Sequence, residues 1–168
     1  MKKKCIIAFL FLCFLCFQVS AQNIKAYFNE DCEKALIEEI SKAKKSIRVA
    51  IYSFTRFSIA NALTKASKKG VEVKIIWDKS QLDASDYGPK IFEIIKKNKI
   101  EVILVDKKSK MHHKFAVIDK EIVMTGSFNF TTSGAKYNDE NLVIFKDAKT
   151  AEKFLKAWEE IFLKQKDN

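Results

Sequence analysis

Between positions 111 and 145 the sequence reads MHHKFAVIDKEIVMTGSFNFTTSGAKYNDENLVIF, and polar residues interrupt two short apolar runs where a plain core has no use for them. In an extended chain alternate side chains share a face, so His112 and Lys114 project to the same side. An imidazole and an ammonium that meet at one point can do phosphorus chemistry without a metal. The neutral ring attacks, and the cation neutralises nonbridging oxygens as charge builds in the transition state. Ser127 and Asn129 also lie two apart, on a strand exit opened by Gly126, and would add uncharged donors to the same oxygens.

Blander readings compete at each position. His112 and His113 as metal ligands would face opposite ways on a strand, and no CxxC, HExxH or carboxylate cluster lies near them in the sequence, so no metal or cofactor is expected. His113 is read as a strand residue on the far face and stays outside the candidate set. Lys114 or Asp119 alone would pass for half of a solvated ion pair, but their spacing with GSFN and Glu140 argues for one site. Lys107, Lys108, Lys110 and Lys120 flank the segment as a positive rim or as a solvated loop. Tyr52, Phe54, Phe128 and Phe130 alternate with polar positions and could stack bases, although such residues more often belong to the core.

The elements that must hold these residues follow from periodicity. Ile24 to Phe28 reads as a strand, Asp31 to Ala43 as a helix, Ser46 to Phe54 as a central strand, and Ser58 to Lys69 as a helix stopped by Gly70. Val71 to Trp77 is the next strand, followed by a polar loop around Ser80 to Gly88. A helix then runs from Pro89 to Asn98, and Glu101 to Val105 returns to strand. Phe115 to Ile118 and Ile122 to Thr125 suit a hairpin across Asp119-Lys120-Glu121. A polar loop leads to a last strand at Asn141 to Phe145 and a closing helix at Ala148 to Lys164. Strands separated by helices imply an α/β fold, a mixed sheet with helices on both faces.

Three lysines, an apolar run of 13 residues from Cys5 to Phe17, and small residues up to Ala21 read as a signal peptide over 1–21, cut before Gln22. The run is short against the roughly 20 residues of a spanning helix, so no stable membrane insertion is expected after cleavage. The remaining 22–168 form a single domain, exported to the periplasm or beyond the cell. That part keeps one cysteine, Cys32, so an intrachain disulfide is excluded; a small buried side chain on the first helix is favoured over a bridge between subunits. It also keeps 28 basic against 21 acidic residues, a net +7 that suits a polyanionic partner.

His112, Lys114 and Asp119 match the HxKxxxxD signature of the phospholipase D superfamily, and Gly126, Ser127 and Asn129 resemble its GSxN segment, followed by an acidic residue at Glu140. The resemblance runs back through IYSFT at Ile51 to Thr55 and VEVKIIWDKSQ, covers almost all of the chain after residue 21, and falls in a single-motif, bacterial endonuclease-like branch. It implies that His112 attacks a diester phosphorus and forms a phosphohistidine that water releases. It implies also that Lys114, Ser127 and Asn129 hold the phosphate, and that Glu140 accepts a hydrogen bond from the other nitrogen of His112. Asp119, within the catalytic signature, is expected to brace the motif rather than touch substrate. One motif where the family chemistry uses two implies a homodimer with both histidines at the twofold axis; the second protonates the leaving oxygen and later activates water, which an ordinary imidazole pKa of about 6.5 permits. The leading expectation is a metal-independent, low-specificity endonuclease on DNA or RNA. A phospholipase D or cardiolipin hydrolase is the alternative, disfavoured by the lack of a strongly amphipathic basic helix with exposed aromatics. A catalytically silent nucleic-acid-binding module is the non-enzymatic alternative, against which the intact His112, Lys114, Ser127, Asn129 and Glu140 argue.

Overall fold

The computed structural model describes residues 24–106 and 110–166. The chain runs through β1 (Ile24–Phe28), α1 (Glu30–Lys42), β2 (Ser46–Ile51), α2 (Phe57–Lys68), β3 (Glu72–Asp78) and a 3-10 turn at Lys79–Gln81. It continues through α3 (Tyr87–Lys97), β4 (Glu101–Val105), β5 (Lys114–Ile118), β6 (Ile122–Gly126), α4 (Thr132–Lys136), β7 (Asn141–Lys146) and α5 (Ala148–Lys166). One seven-stranded sheet has the order β1-β7-β6-β5-β2-β3-β4, parallel from β2 through β4 and antiparallel elsewhere. The α/β sandwich expected from the strand and helix pattern is the fold observed. The signal-peptide reading of 1–21 lies outside the described residues.

Alternation along the central strands sets the two cores. Ile47, Val49 and Ile51 of β2, with Val73, Ile75 and Trp77 of β3, pack toward Leu36 and Ile40 of α1, Ile59 and Leu63 of α2, and Ile91 and Ile95 of α3. Ala50 and Ile76 point the other way, into a cluster closed by Ala151, Trp158 and Phe162 of α5. The Trp158 indole N–H donates to the Val49 carbonyl at 2.8 Å, so the largest α5 side chain is placed by direction as well as by burial. Cys32 lies in the α1 core with no exposed surface, and burial, with Glu140 and Asp31 nearby, pushes its thiol up to about 11. Such a thiol is inert and out of reach of a second chain.

Local rules account for where elements end. Gly70 at φ 92° closes α2 in a Schellman motif, its N–H donating to Ser67 while Val71 donates to Ala66. The central strand stops at Ile51 rather than Phe54 because its regular pairing reaches only Trp77 and Lys114, with one further bond from Tyr52 toward β5; Phe54 then makes a lone bridge to Phe130. The third helix begins at Tyr87, two residues before Pro89, which still falls in a first turn whose N–H groups need no helical partner. The segment read as polar loop before β7 contains α4, five residues capped by the Thr131 hydroxyl, which accepts from Gly134 N–H at 3.0 Å.

Candidate active site

Four strand ends meet at one edge of the sheet. Antiparallel pairing puts Ile51 opposite Lys114, and the ladder continues one step as Tyr52 N–H donates to the His113 carbonyl at 2.9 Å. On the neighbouring pair Gly126 faces Leu142, and Ser127 N–H donates to Asn141 at 3.2 Å. The exits of β2 and β6 and the entries of β5 and β7 thereby carry Tyr52, Ser127, His112 and Glu140 to a common edge. Gly126 is the residue that permits this closure, since a Cβ there would stand 2.1 Å from the Asn141 carbonyl oxygen.

His112 and Lys114 meet as alternation requires. The Lys114 ammonium is 3.1 Å from His112 Nδ1 and 3.3 Å from Nε2, and donates to the His112 carbonyl at 2.9 Å. An ammonium offers only hydrogens, so the ring nitrogen that meets it presents a lone pair. His112 is exposed while Lys114 is half-buried. Burial lowers the Lys114 pKa below the ordinary lysine range, and the negative charge of Glu140 works in the opposite direction. Beside the pair a cleft of about 360 Å³ opens toward α5, lined by His113, Phe115, Thr125, Gly126, Lys153 and Phe154 as well as by the pair itself.

The acid-rich side of the site differs from expectation. Glu140, buried, takes hydrogen bonds from the Ser127 hydroxyl and, at 3.0 Å, from the Asn138 amide, so its carboxylate is engaged there and not by the imidazole of His112. Ser127 is correspondingly a bridge rather than a free donor: its oxygen also accepts from Asn141 N–H at 3.1 Å. Asn129 accepts from Ser53 N–H through Oδ1 at 3.4 Å, which leaves its NH2 as the donor for an incoming oxygen. A buried carboxylate satisfied in this way acts on the site through its field, and Lys114 is the group that feels it.

Asp119 lies away from all of these. It sits in the β5–β6 turn at φ 52°, five residues along the strand from Lys114 and so about 17 Å away. There its carboxylate accepts from the backbone N–H groups of Lys44, Lys45 and Ser46 at 2.9, 2.7 and 2.9 Å. The bracing role fits; contact with reacting atoms does not. Lys120 shares that turn, with φ 63°, and so leaves the expected rim, while Lys107 and Lys108 fall outside the described residues. Phe54, Phe128 and Phe130 are core, and Tyr52 stays at the site with its ring centroid 4.4 Å from that of His112. His113 turns instead toward Phe115, 5.5 Å away.

Three supports escaped the sequence reading. Asp78, 3 % exposed at the end of β3, accepts from Met111 N–H at 2.7 Å and from Ser80, pinning the chain one residue before His112. Asn29 and Glu140 exchange bonds, Asn29 N–H to the Glu140 carbonyl at 2.9 Å and Glu140 N–H to Asn29 Oδ1 at 3.1 Å. Glu33 holds Arg56 bidentately at 2.8 and 3.0 Å and accepts from Ser58, tying α1 to the loop after Tyr52. Only Asp78 had a usable signal, a charge ending an otherwise apolar strand.

Known proteins resemble this arrangement throughout. The family model described as cardiolipin synthase, PLD-like domain, matches residues 36–162. The phospholipase D of Rickettsia prowazekii is 36% identical over 143 residues, spanning 84% of this chain and 68% of that protein. The mitochondrial cardiolipin hydrolase of Mus musculus is 29% identical over 136 residues, 80% of this chain and 59% of its own length. Among solved structures, the phospholipase D family member Nuc from Salmonella typhimurium superposes with a TM-score of 0.81 at 31% identity, covering 86% of this chain and 95% of that one.

Proposed function

The chain belongs to the phospholipase D superfamily and is an enzyme of phosphodiesterase type, and we propose that it is a metal-independent, low-specificity endonuclease on DNA or RNA that works through a phosphohistidine on His112. The observation that carries this reading is the entrance to the site. His112 is exposed among Lys110, Lys114 and Lys153, on a chain whose net charge from Gln22 onward is +7. Such an approach gathers a polyanion by steering and counterion release.

In the proposed reaction a nitrogen of His112 forms a bond to phosphorus while the bond to the leaving nucleoside oxygen breaks, and a protonated imidazole gives that oxygen its proton. Water then attacks the phosphohistidine, its proton passes back to the same imidazole, and the N–P bond breaks. Lys114 and the Asn129 amide stabilise the crowded equatorial oxygens. One motif supplies one imidazole, so the second is assigned to His112 of another copy in a symmetric homodimer. Export to the periplasm or beyond is proposed with it; amino-terminal sequencing of protein recovered outside the cytoplasm should begin at Gln22.

A second reading is favoured by the relatives named phospholipase D and cardiolipin hydrolase: the proposed chemistry would equally cleave a lipid headgroup diester. Among the described residues no helix is long and apolar enough to cross a membrane, which does not bear on transient contact with one. The test is cleavage by the purified protein in excess EDTA of labelled single- and double-stranded DNA and RNA, beside phosphatidylcholine and cardiolipin vesicles. Chelator-resistant cutting of nucleic acid is expected. Headgroup release with nucleic acid untouched would replace the nuclease reading by the lipid one, and salt-dependent retention without product would leave a binding module.

The pH profile should report the Glu140 field. Lys114 works as the ammonium, so activity is lost as pH rises through its pKa. Glu140→Gln removes the charge that opposes the effect of burial, and the alkaline limb of kcat/KM is expected to move to lower pH. An alkaline limb that stays in place would remove Lys114 from the titration.

A further inference from the structure

Tyr52 organises more than the face of His112. Its phenol oxygen accepts a hydrogen bond from the Lys110 ammonium at 2.9 Å. That nitrogen stands 5.5 Å from the ring centroid, about as far as the phenol oxygen and a hydrogen bond reach together, so the contact runs along the C–O axis rather than over the π face. The Lys114 ammonium is 5.1 Å from the same centroid, and the His112 ring 4.4 Å. One half-buried ring therefore locates the nucleophile, the motif lysine and a second cation outside the motif.

The backbone under Lys110 is equally fixed. Met111, 1 % exposed, donates its N–H to the buried carboxylate of Asp78, and Lys110 extends from that anchored point into solvent. Its partner matters as well. Lys34, Lys42 and Lys79 each face a carboxylate that cancels their charge, whereas a phenol orients the Lys110 ammonium and leaves the charge in place. A cation held still by a phenol rather than a carboxylate, beside the nucleophile, is arranged for an anion.

We infer that Lys110, seated on the Tyr52 phenol, is a second phosphate-binding group, taking the phosphate that adjoins the scissile one on a nucleic acid strand. This rests on the nuclease reading above. Lys114 is committed to the reacting phosphate, and both ammonium groups lie within 5.5 Å of one ring centroid, a separation within reach of neighbouring phosphates on one extended strand. The hydrogen bond and charge of Tyr52 first, and Asp78 beyond them, outweigh desolvation and raise the Lys110 pKa, so the group stays charged through the working range.

The test is steady-state cleavage of single-stranded oligonucleotides at several salt concentrations. Lys110→Ala is expected to raise KM about tenfold, the size of one charge-assisted contact, with kcat within about twofold, and to reduce the salt slope of binding by about one. The KM advantage of a trinucleotide, with two phosphates, over a dinucleotide, with one, should shrink toward unity. Tyr52→Phe should shift KM the same way, and adding Lys110→Ala to it should change KM less than about twofold, since both act through one contact. Lys110→Arg should recover most of the affinity. Unchanged KM and salt slope in Lys110→Ala, with oligonucleotides still cut normally, would overturn the subsite and leave the nuclease reading standing; a fall in kcat alone would overturn it too. Wild-type protein that cleaves vesicle lipid and no oligonucleotide would overturn both.

Discussion

His112→Asn is expected to abolish turnover, by on the order of 10⁴-fold or more, while fold and assembly stay intact. The imidazole is exposed, so its loss opens no cavity, and asparagine offers no nitrogen able to attack phosphorus. Lys114 keeps its bond to the main-chain carbonyl of residue 112 at 2.9 Å, so the cation remains in place when the ring is gone. The measurement is kcat on labelled single-stranded DNA, with circular dichroism and sedimentation to show an unchanged fold and mass. Mixed dimers extend it: if each centre needs two copies of His112, a wild-type and His112→Asn pair should be nearly inactive, whereas half activity would mean independent sites. Full activity in the pure variant would remove His112 from the mechanism.

Asp119→Ala should do the reverse, lowering stability by about 2–3 kcal/mol while the folded fraction keeps kcat within about threefold. Three backbone N–H groups at the start of β2 lose their acceptor, and alanine is less suited than aspartate to φ 52°. For a domain of this size the melting temperature falls by about 5–10 °C. The pH dependence has a definite sign. Burial alone would raise the Asp119 pKa, but the bonds from Ser46, Lys44 and Lys45, helped by the Lys45 charge, more than offset it and leave it lowered. A carboxyl with a depressed folded pKa contributes stability above its unfolded pKa, about 3.9, and loses that contribution as pH falls through the folded value. Acid unfolding of the wild type should therefore show a component below about pH 4 that Asp119→Ala lacks. A variant as stable as wild type yet inactive would return Asp119 to the chemistry.

The pairing of His112 with Lys114 was legible because alternation on a strand is a local rule, and so was the sheet, since β2 and β3 carry apolar residues toward both helical layers. Gly126 could be flagged from its place before Ser127, although its reason, the Asn141 carbonyl 2.1 Å from any Cβ, belongs to β7. What stayed hidden depends on register between distant segments. The sequence cannot tell that Glu140 answers to Ser127 and Asn138 rather than to His112, because a carboxylate chooses among donors only once the strand ends have met. Asp78 and Met111 are 33 residues apart, and Asn29 and Glu140 are 111 apart. Asp119 shows the converse: a signature spacing that reads as one chemical unit is split by a five-residue strand, with the nucleophile at one edge of the sheet and the clamp at the other.

The pairing of β1 with β7 has a consequence for how the protein is made. Among the described residues the first strand pairs with β7 alone, about 120 residues later, and the second core waits for Trp158 and Phe162 of α5. A ribosome delivers the chain from its amino end, so β1 must idle with an unpaired edge, and the α5-facing side of β2 and β3 stays greasy, until nearly the whole domain has emerged. Completion is a late, closing event that joins the first and last described strands, slow by topology and open to capture by a chaperone in the interval.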